Sequence, residues 1–463
     1  MRTSPLRRAG TAALAALALG MAPLTSAHAE PAPAPDAAAL PSALVEALER
    51  DLGITAEEFL ERSAIAQDLA AFAQDLRARF PDEFGGAWLD NGVPTIAATT
   101  SNLAEEAEEA GFAVTEVSRT ETALRAELAD LQRWIDALPE PLDGMFRGAV
   151  IDLTRNAVVL GLAESELGSA IDLPGLLDRA GVVLTPANDV VPGEDTIDEQ
   201  PLTGGSDNPP EGAPEGQDAE QQVPGQQGVA DRDLPPASTT VPPQLEVLGG
   251  DAFIAGNATS LRCSLGFNGI TEDGKAVNLT AGHCNPDGPG TTGTPTRFLQ
   301  GPLAGQVFGS FTETNMDKVD FAVITIDDAH QEAFSSAGIR GGGDLRITGT
   351  ADPVMGMPVC KSGVTTGFSC GVVTATNLTL QIGPRTLGNA FTSSICALQG
   401  DSGGAIISGT RAVGISSASD VGDFTSCSAA IEETSIYGET PLLYATPIND
   451  VLARVPGVRL NTE

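Results

Sequence analysis

Gly400-Asp401-Ser402-Gly403-Gly404 decides how this chain is to be read. Glycines on both sides of a serine let the backbone turn tightly and leave the hydroxyl unobstructed. They also let successive backbone N–H groups point at one spot. Alone, the stretch fits an ordinary glycine-rich turn as well. Two upstream stretches change that. Thr280-Ala281-Gly282-His283-Cys284 ends a strand-like run on an imidazole, beside a cysteine able to pin the strand end. Asp320-Phe321-Ala322-Val323-Ile324 places an acid at the mouth of an apolar strand. A base, a carboxylate to orient it and an exposed serine are the parts of acyl transfer, so His283, Asp320 and Ser402 are the candidate catalytic residues. Their order differs from the Ser-Asp-His order of α/β-hydrolases.

From about Val247 onward the texture is all-β. Short apolar runs at Ala276–Thr280, Phe321–Ile326, 371–380, Ala405–Ser408 and 412–416 alternate with turn residues, and Asp273-Gly274 carries a hairpin signal. Such spacing predicts a β-barrel or sandwich, long enough here for two barrels. All six cysteines, Cys263, Cys284, Cys360, Cys370, Cys396 and Cys427, lie in this half. In an exported chain an even number points to disulfides, with fifteen connectivities open. Metal binding fits less well, because paired C-x-x-C spacing is missing. No metal or other cofactor is expected.

Upstream, residues 188–246 are rich in Pro, Gly, Gln and acids. Such a stretch buries too little apolar surface to offset chain entropy and predicts a disordered, self-repelling linker. Residues 30–187 are rich in Ala, Leu and Glu. Helical spacing at Ala56–Arg79 and 103–138, with strand-like pieces at 94–98 and Ala157–Leu162, predicts an α+β domain. Residues 1–29 read as a secretory signal. Arg2, Arg7 and Arg8 precede an apolar run, and Ala27-His28-Ala29 supplies the cleavage pattern. That run is too short to span a bilayer. A formal charge of −37 argues against nucleic acid and anionic membranes as partners. The expected product is secreted, extracellular or associated with the cell envelope, and monomeric.

The three motifs resemble those of chymotrypsin-like peptidases, specifically the bacterial streptogrisin and alpha-lytic protease family. Gly249-Gly250-Asp251-Ala252, with Arg262-Cys263-Ser264-Leu265-Gly266-Phe267, resembles the start of the mature enzymes. The stretch from Cys360 to Gly371 resembles their small disulfide loop, and the likeness spans residues 247–463. It implies a double six-stranded β-barrel with the site between barrels. It also implies pairings Cys263–Cys284, Cys360–Cys370 and Cys396–Cys427, and an oxyanion hole made by the N–H groups of Gly400 and Ser402. Phe84-Gly85-Gly86-Ala87-Trp88-Leu89-Asp90, and a second copy beginning at Val150-Ile151-Asp152-Leu153, resemble the family's prosegment. That element assists folding and then inhibits until it is cut away. Double barrels rich in non-local contacts fold slowly without such help. The long acidic linker departs from the family pattern.

The same resemblance makes residues 394–399 and 414–420 the walls of the primary specificity pocket. Ala397, Ser416, Ser417, Ala418 and Ser419 are its candidate substrate-binding residues. Ser417 corresponds to the serine that hydrogen-bonds the catalytic Asp. Ser419 stands where the family usually has Gly, and Ser416 where glutamate-preferring relatives have His. Small uncharged walls predict preference for uncharged, mostly apolar or aromatic side chains before the scissile bond. The function expected is a serine endopeptidase acting on polypeptides through a His-Asp-Ser triad, with its own prosegment as intramolecular inhibitor. Alternatives are a catalytically silent binding protein that keeps the fold, and a cell-envelope adaptor.

Overall fold

The computed structural model describes residues 37–138, 146–162, 182–186, 191–192, 195–197, 245–257, 260–341, 345–382, 385–422, 424–436 and 439–462. Residues 1–29, expected to be a secretory signal, and residues 188–190, 193–194 and 198–244 of the expected linker lie outside them.

Fully buried phenylalanines organise the first β unit. Phe253, Phe308, Phe311, Phe321 and Phe334 pack in one cluster, with the Phe253 and Phe308 rings edge-on at 6.4 Å. Such ring pairs add to the hydrophobic gain from burial. Around them Phe267–Thr271, Ala276–Thr280, Phe321–Ile326, Val307–Asn315, Pro295–Phe298, Ala252–Gly256 and Ser260–Ser264 pair in that order. Gly274, at φ +85°, makes the predicted turn between the first two, since only glycine adopts that conformation without cost.

The second β unit is a closed six-stranded barrel. Pro358–Gly363, Ala405–Ser408, Arg411–Ser419, Leu443–Pro447, Arg385–Ser393 and Gly367–Ile382 pair in turn, and the last returns to the first. The chain thus adopts the chymotrypsin-like fold, preceded by an α+β prosegment. Gly367–Ile382 is longer than the run read from sequence. Its far end forms a bulged hairpin with Arg385–Ser393 that pairs the prosegment strand Phe146–Asp152 through Thr379↔Ala149 and Leu380↔Gly148.

Before the barrels, Thr55 and Glu58 form a reciprocal capping box that starts the helix Ala56–Arg79. Strands Phe84–Asp90, Val93–Ala98 and Ala113–Glu116 form a three-stranded sheet. The single helical stretch expected over 103–138 is instead a helix Ser101–Glu109, the strand Ala113–Glu116 and a helix Glu121–Asp136. Gly111 at φ +91° stops the first helix, and the Ala113-Val114-Thr115-Glu116 run pairs with Val93–Ala98. Thr120 then caps the second helix.

The linker reading also changes at its start. Val191–Pro192 and Asp195–Ile197 are strands, each paired to a protease strand. Composition predicted disorder there because it registers what a segment can bury itself, not the ladder hydrogen bonds a neighbouring sheet edge supplies.

The prosegment also docks elsewhere. Leu44, Leu48 and Phe59 join the cluster that holds the first unit's core. Asp51 accepts the Cys370 N–H at 2.8 Å, and Arg50 donates to the Phe368 carbonyl at 3.0 Å. Both contacts fall on the hairpin closed by Cys360–Cys370.

Candidate active site

His283 lies in the 3₁₀ turn Gly282–Cys284 that ends the strand Ala276–Thr280. The turn needs glycine at 282, where a Cβ would sit 2.1 Å from the Asn315 carbonyl oxygen. Asp320 immediately precedes Phe321–Ile326, which pairs with the His283 strand, so one ladder brings acid and imidazole together. The Asp320 carboxylate accepts the His283 backbone N–H at 2.9 Å and lies 2.6 Å from Nδ1. Ser417 Oγ donates to the same carboxylate from the second barrel. With Nδ1 held by Asp320, His283 keeps Nε2 for other chemistry. Nε2 is buried and makes no hydrogen bond among the described residues.

Ser402 is held by its loop. Its carbonyl accepts the Ser264 N–H at 2.8 Å, on the first unit, and Gly403 N–H donates to the Ser416 carbonyl at 2.8 Å, on the second. The loop therefore bridges the two β units. Gly400 and Gly403 stand at φ +94° and +82°, and a Cβ on Gly403 would lie 2.0 Å from Thr280 Oγ1. Disulfide Cys263–Cys284 ties the strand beside Ser402 to the His283 turn. Cys396–Cys427 closes the segment before the Ser402 loop, and Cys360–Cys370 closes the hairpin.

Residues 57–117 match the family model described as "Alpha-lytic protease pro N-terminal". Streptogrisin-C of Streptomyces griseus is 28% identical over 98% of this chain and 84% of its own length. Glutamyl endopeptidase 2 of the same organism is 32% identical over 42% of this chain and 100% of its own. Serine protease 2 of Streptomyces fradiae is 32% identical over 37% of this chain and 93% of its own. The chain belongs to the streptogrisin and alpha-lytic protease family.

In this streptogrisin-family chain Asp401, the residue before Ser402, is a hub whose partners the sequence alone does not show. Asp401 accepts N–H groups from Leu398, Thr365 and Thr366, and the Thr366 hydroxyl at 2.7 Å. It also pairs with Lys361 Nζ at 2.9 Å, both side chains being buried. Burial pushes the Lys361 ammonium down from its ordinary range, and the Asp401 carboxylate opposes that. The one signal in the sequence was a lysine inside a short apolar strand.

The candidate pocket residues part company. Ala397 joins an apolar cluster with Leu443 and Ala445, and Ala418 joins one with Leu378 and Leu380. The Ser416 backbone is bonded to Gly403 and Gly404 of the Ser402 loop. Ser419 Oγ accepts the Val421 N–H at 3.2 Å. His330 packs edge-on against Phe298 at 5.2 Å, on the side of the first core rather than beside Asp320.

Asp420 directly follows the strand Arg411–Ser419. Its carboxylate accepts the Leu442 N–H at 2.8 Å. Burial pushes its pKa up to about 6 from 3.8, outweighing that bond, with the nearby Glu439 charge adding to the rise. The folded state therefore holds a proton that the unfolded chain has already released between about pH 4 and pH 6. Stability from this group is present below pH 4, falls as pH rises to about 6, and is flat above. Asp420→Asn should stabilise the protein near pH 7, by at most about 3 kcal/mol, and bring no gain at pH 3.5. Urea unfolding at the two pH values checks this; an equal effect at both would show that charge is not the cause.

Proposed function

We propose that this chain is the precursor of an exported serine endopeptidase in which Ser402, His283 and Asp320 hydrolyse peptide bonds through an acyl-enzyme. The observation that carries the reading is the Asp320 carboxylate, which holds His283 by both backbone and Nδ1 and leaves Nε2 to take a proton. Ser402 Oγ attacks the carbonyl carbon as Nε2 takes its proton, and Nε2 then gives that proton to the departing amine. Asp320 stabilises the imidazolium without itself becoming protonated. The Gly400 and Ser402 N–H groups hold the oxyanion, each worth roughly 3–4 kcal/mol in comparable sites.

The remaining expectations belong to the same proposal. Residues 1–29 direct export, 30–187 fold and inhibit, 188–246 link, and 247–463 carry the activity. With Asp420 bonded to the Leu442 backbone, no free acid lines the described pocket wall to bind a Lys or Arg side chain. The relative named Glutamyl endopeptidase 2 raises glutamyl specificity as a second possibility, which serine rather than histidine at 416 weighs against. Preference for uncharged side chains follows.

A fluorophosphonate probe tests the nucleophile directly. The processed protein should gain one adduct, mapped to Ser402 by mass spectrometry, and His283→Ala should abolish labelling. Labelling at another serine, or undiminished labelling of the His283 variant, would refute the assignment.

A further inference from the structure

The strand Ser260–Ser264 is the last of the first unit's own strands in its sheet. One edge pairs with Ala252–Gly256, and among the described residues the other meets only Asp195–Ile197 of the linker. Leu261 and Cys263 are buried in the core, whereas Arg262 between them lies on the opposite face and is half-buried. From there Arg262 reaches the second unit. Its Nη2 donates to Thr365 Oγ1 at 3.5 Å, and Thr365 Oγ1 donates to the Gln399 carbonyl at 2.6 Å. A Cβ on Gly400 would lie 3.1 Å from Arg262 Nη2 and 3.2 Å from Cζ. The guanidinium therefore rests against the Ser402 loop, at the residue whose N–H is assigned to the oxyanion.

In the precursor the outer edge of this strand holds an extended segment. Asp195–Ile197 pairs with it antiparallel, through Arg262↔Asp195, Leu261↔Thr196 and Ser260↔Ile197. The segment runs away from Ser402, because Ser264, at the near end of the edge, donates its N–H to the Ser402 carbonyl at 2.8 Å. Residues that follow a scissile bond must take the same direction on this unit, since His283, which protonates the departing amine, belongs to it. A segment added to a sheet edge is held by main-chain hydrogen bonds and chosen by its side chains. The residue in register with Arg262 is an acid, Asp195. Arg262 stands two residues, about 7 Å, along the strand from Ser264.

We propose that the Ser260–Ser264 edge receives the leaving half of the substrate, and that Arg262 selects Asp or Glu about two residues after the scissile bond. The inference rests on the peptidase reading above and adds a preference on the side away from the primary pocket. Once residues 188–246 are gone, the edge offers its main-chain groups to substrate in place of Asp195–Ile197. Arg262 suits a carboxylate there, because its planar fork of donors stays charged at every working pH. The Asp401 carboxylate does not compete for it, being buried and paired with Lys361 at 2.9 Å. A basic residue at the same position meets a like charge and is disfavoured. The pair forms where solvent reaches, so the preference is modest and weakens with salt.

The test gives the processed protein three quenched-fluorescence peptides that differ only at the second residue after the cleaved bond: Glu, Gln or Lys. In wild type kcat/KM should be about fivefold higher for Glu than for Gln, and lower for Lys than for Gln. The advantage of Glu should fall below about twofold in about 1 M salt. Arg262→Gln should bring the Glu-to-Gln ratio to about one, Arg262→Lys should keep most of it, and Arg262→Glu should reverse the order. The ratio is read within each protein, so a general loss of activity in a variant does not enter it. An arginine that only ties the two units together would change overall rates and leave the ratio as it was. Equal rates on the three peptides in wild type, or a Glu preference retained by Arg262→Gln, overturn this proposal alone. Failure of wild type to cleave any of the peptides, or casein, overturns the peptidase reading beneath it.

Discussion

Ser402→Ala should lower hydrolysis of a chromogenic peptide by about a millionfold, and His283→Ala should do nearly the same. Without Ser402 Oγ no acyl-enzyme forms. Without His283 Nε2 the hydroxyl keeps its proton and the amine leaves unprotonated. The two groups act on one proton, so their losses are not additive, and the double variant should fall no further than either single one. What activity persists would come from binding and the N–H groups of Gly400 and Ser402, which neither substitution touches. Steady-state rates of the two single variants and the double variant check this. A double variant slower than the singles by a further several thousandfold would mean that the residues act in separate steps.

The largest structural effect is expected at Lys361. Lys361→Met should destabilise the protein by about 3–5 kcal/mol, because it strands the Asp401 carboxylate inside the second barrel without its cation. Three backbone N–H groups and the Thr366 hydroxyl still hold Asp401, but a buried charge needs more than neutral donors. Adding Asp401→Asn removes that charge and should recover part of the loss, with a coupling of roughly 1–3 kcal/mol. Urea unfolding of the four proteins, all carrying Ser402→Ala to prevent self-digestion, gives the cycle. Strict additivity would show that Lys361 and Asp401 do not depend on one another. Because Asp401 adjoins Ser402, the loss should also appear as a fall in kcat in the otherwise wild-type enzyme.

Elements whose signals are local can be read without the fold. The capped helix Ala56–Arg79, the strands Ala276–Thr280 and Phe321–Ile326, and the hairpin at Gly274 follow from periodicity, capping and φ > 0 chemistry that neighbours alone satisfy. The candidates His283, Asp320 and Ser402 stood out for a different reason: His283 and Ser402 have glycines beside them that serve a tight turn, and Asp320 is an acid at the mouth of an apolar strand. Which distant groups meet depends instead on how the sheets close. The Asp401–Lys361 pair joins the Ser402 loop to the strand Pro358–Gly363, and the Asp320–Ser417 bond joins the two β units. No local pattern encodes a partner chosen by the closure of a sheet. The start of the linker shows this most clearly. Val191–Pro192 and Asp195–Ile197 carry too little apolar surface to order themselves, and they become strands because two protease edges beside Ser402 supply the hydrogen bonds.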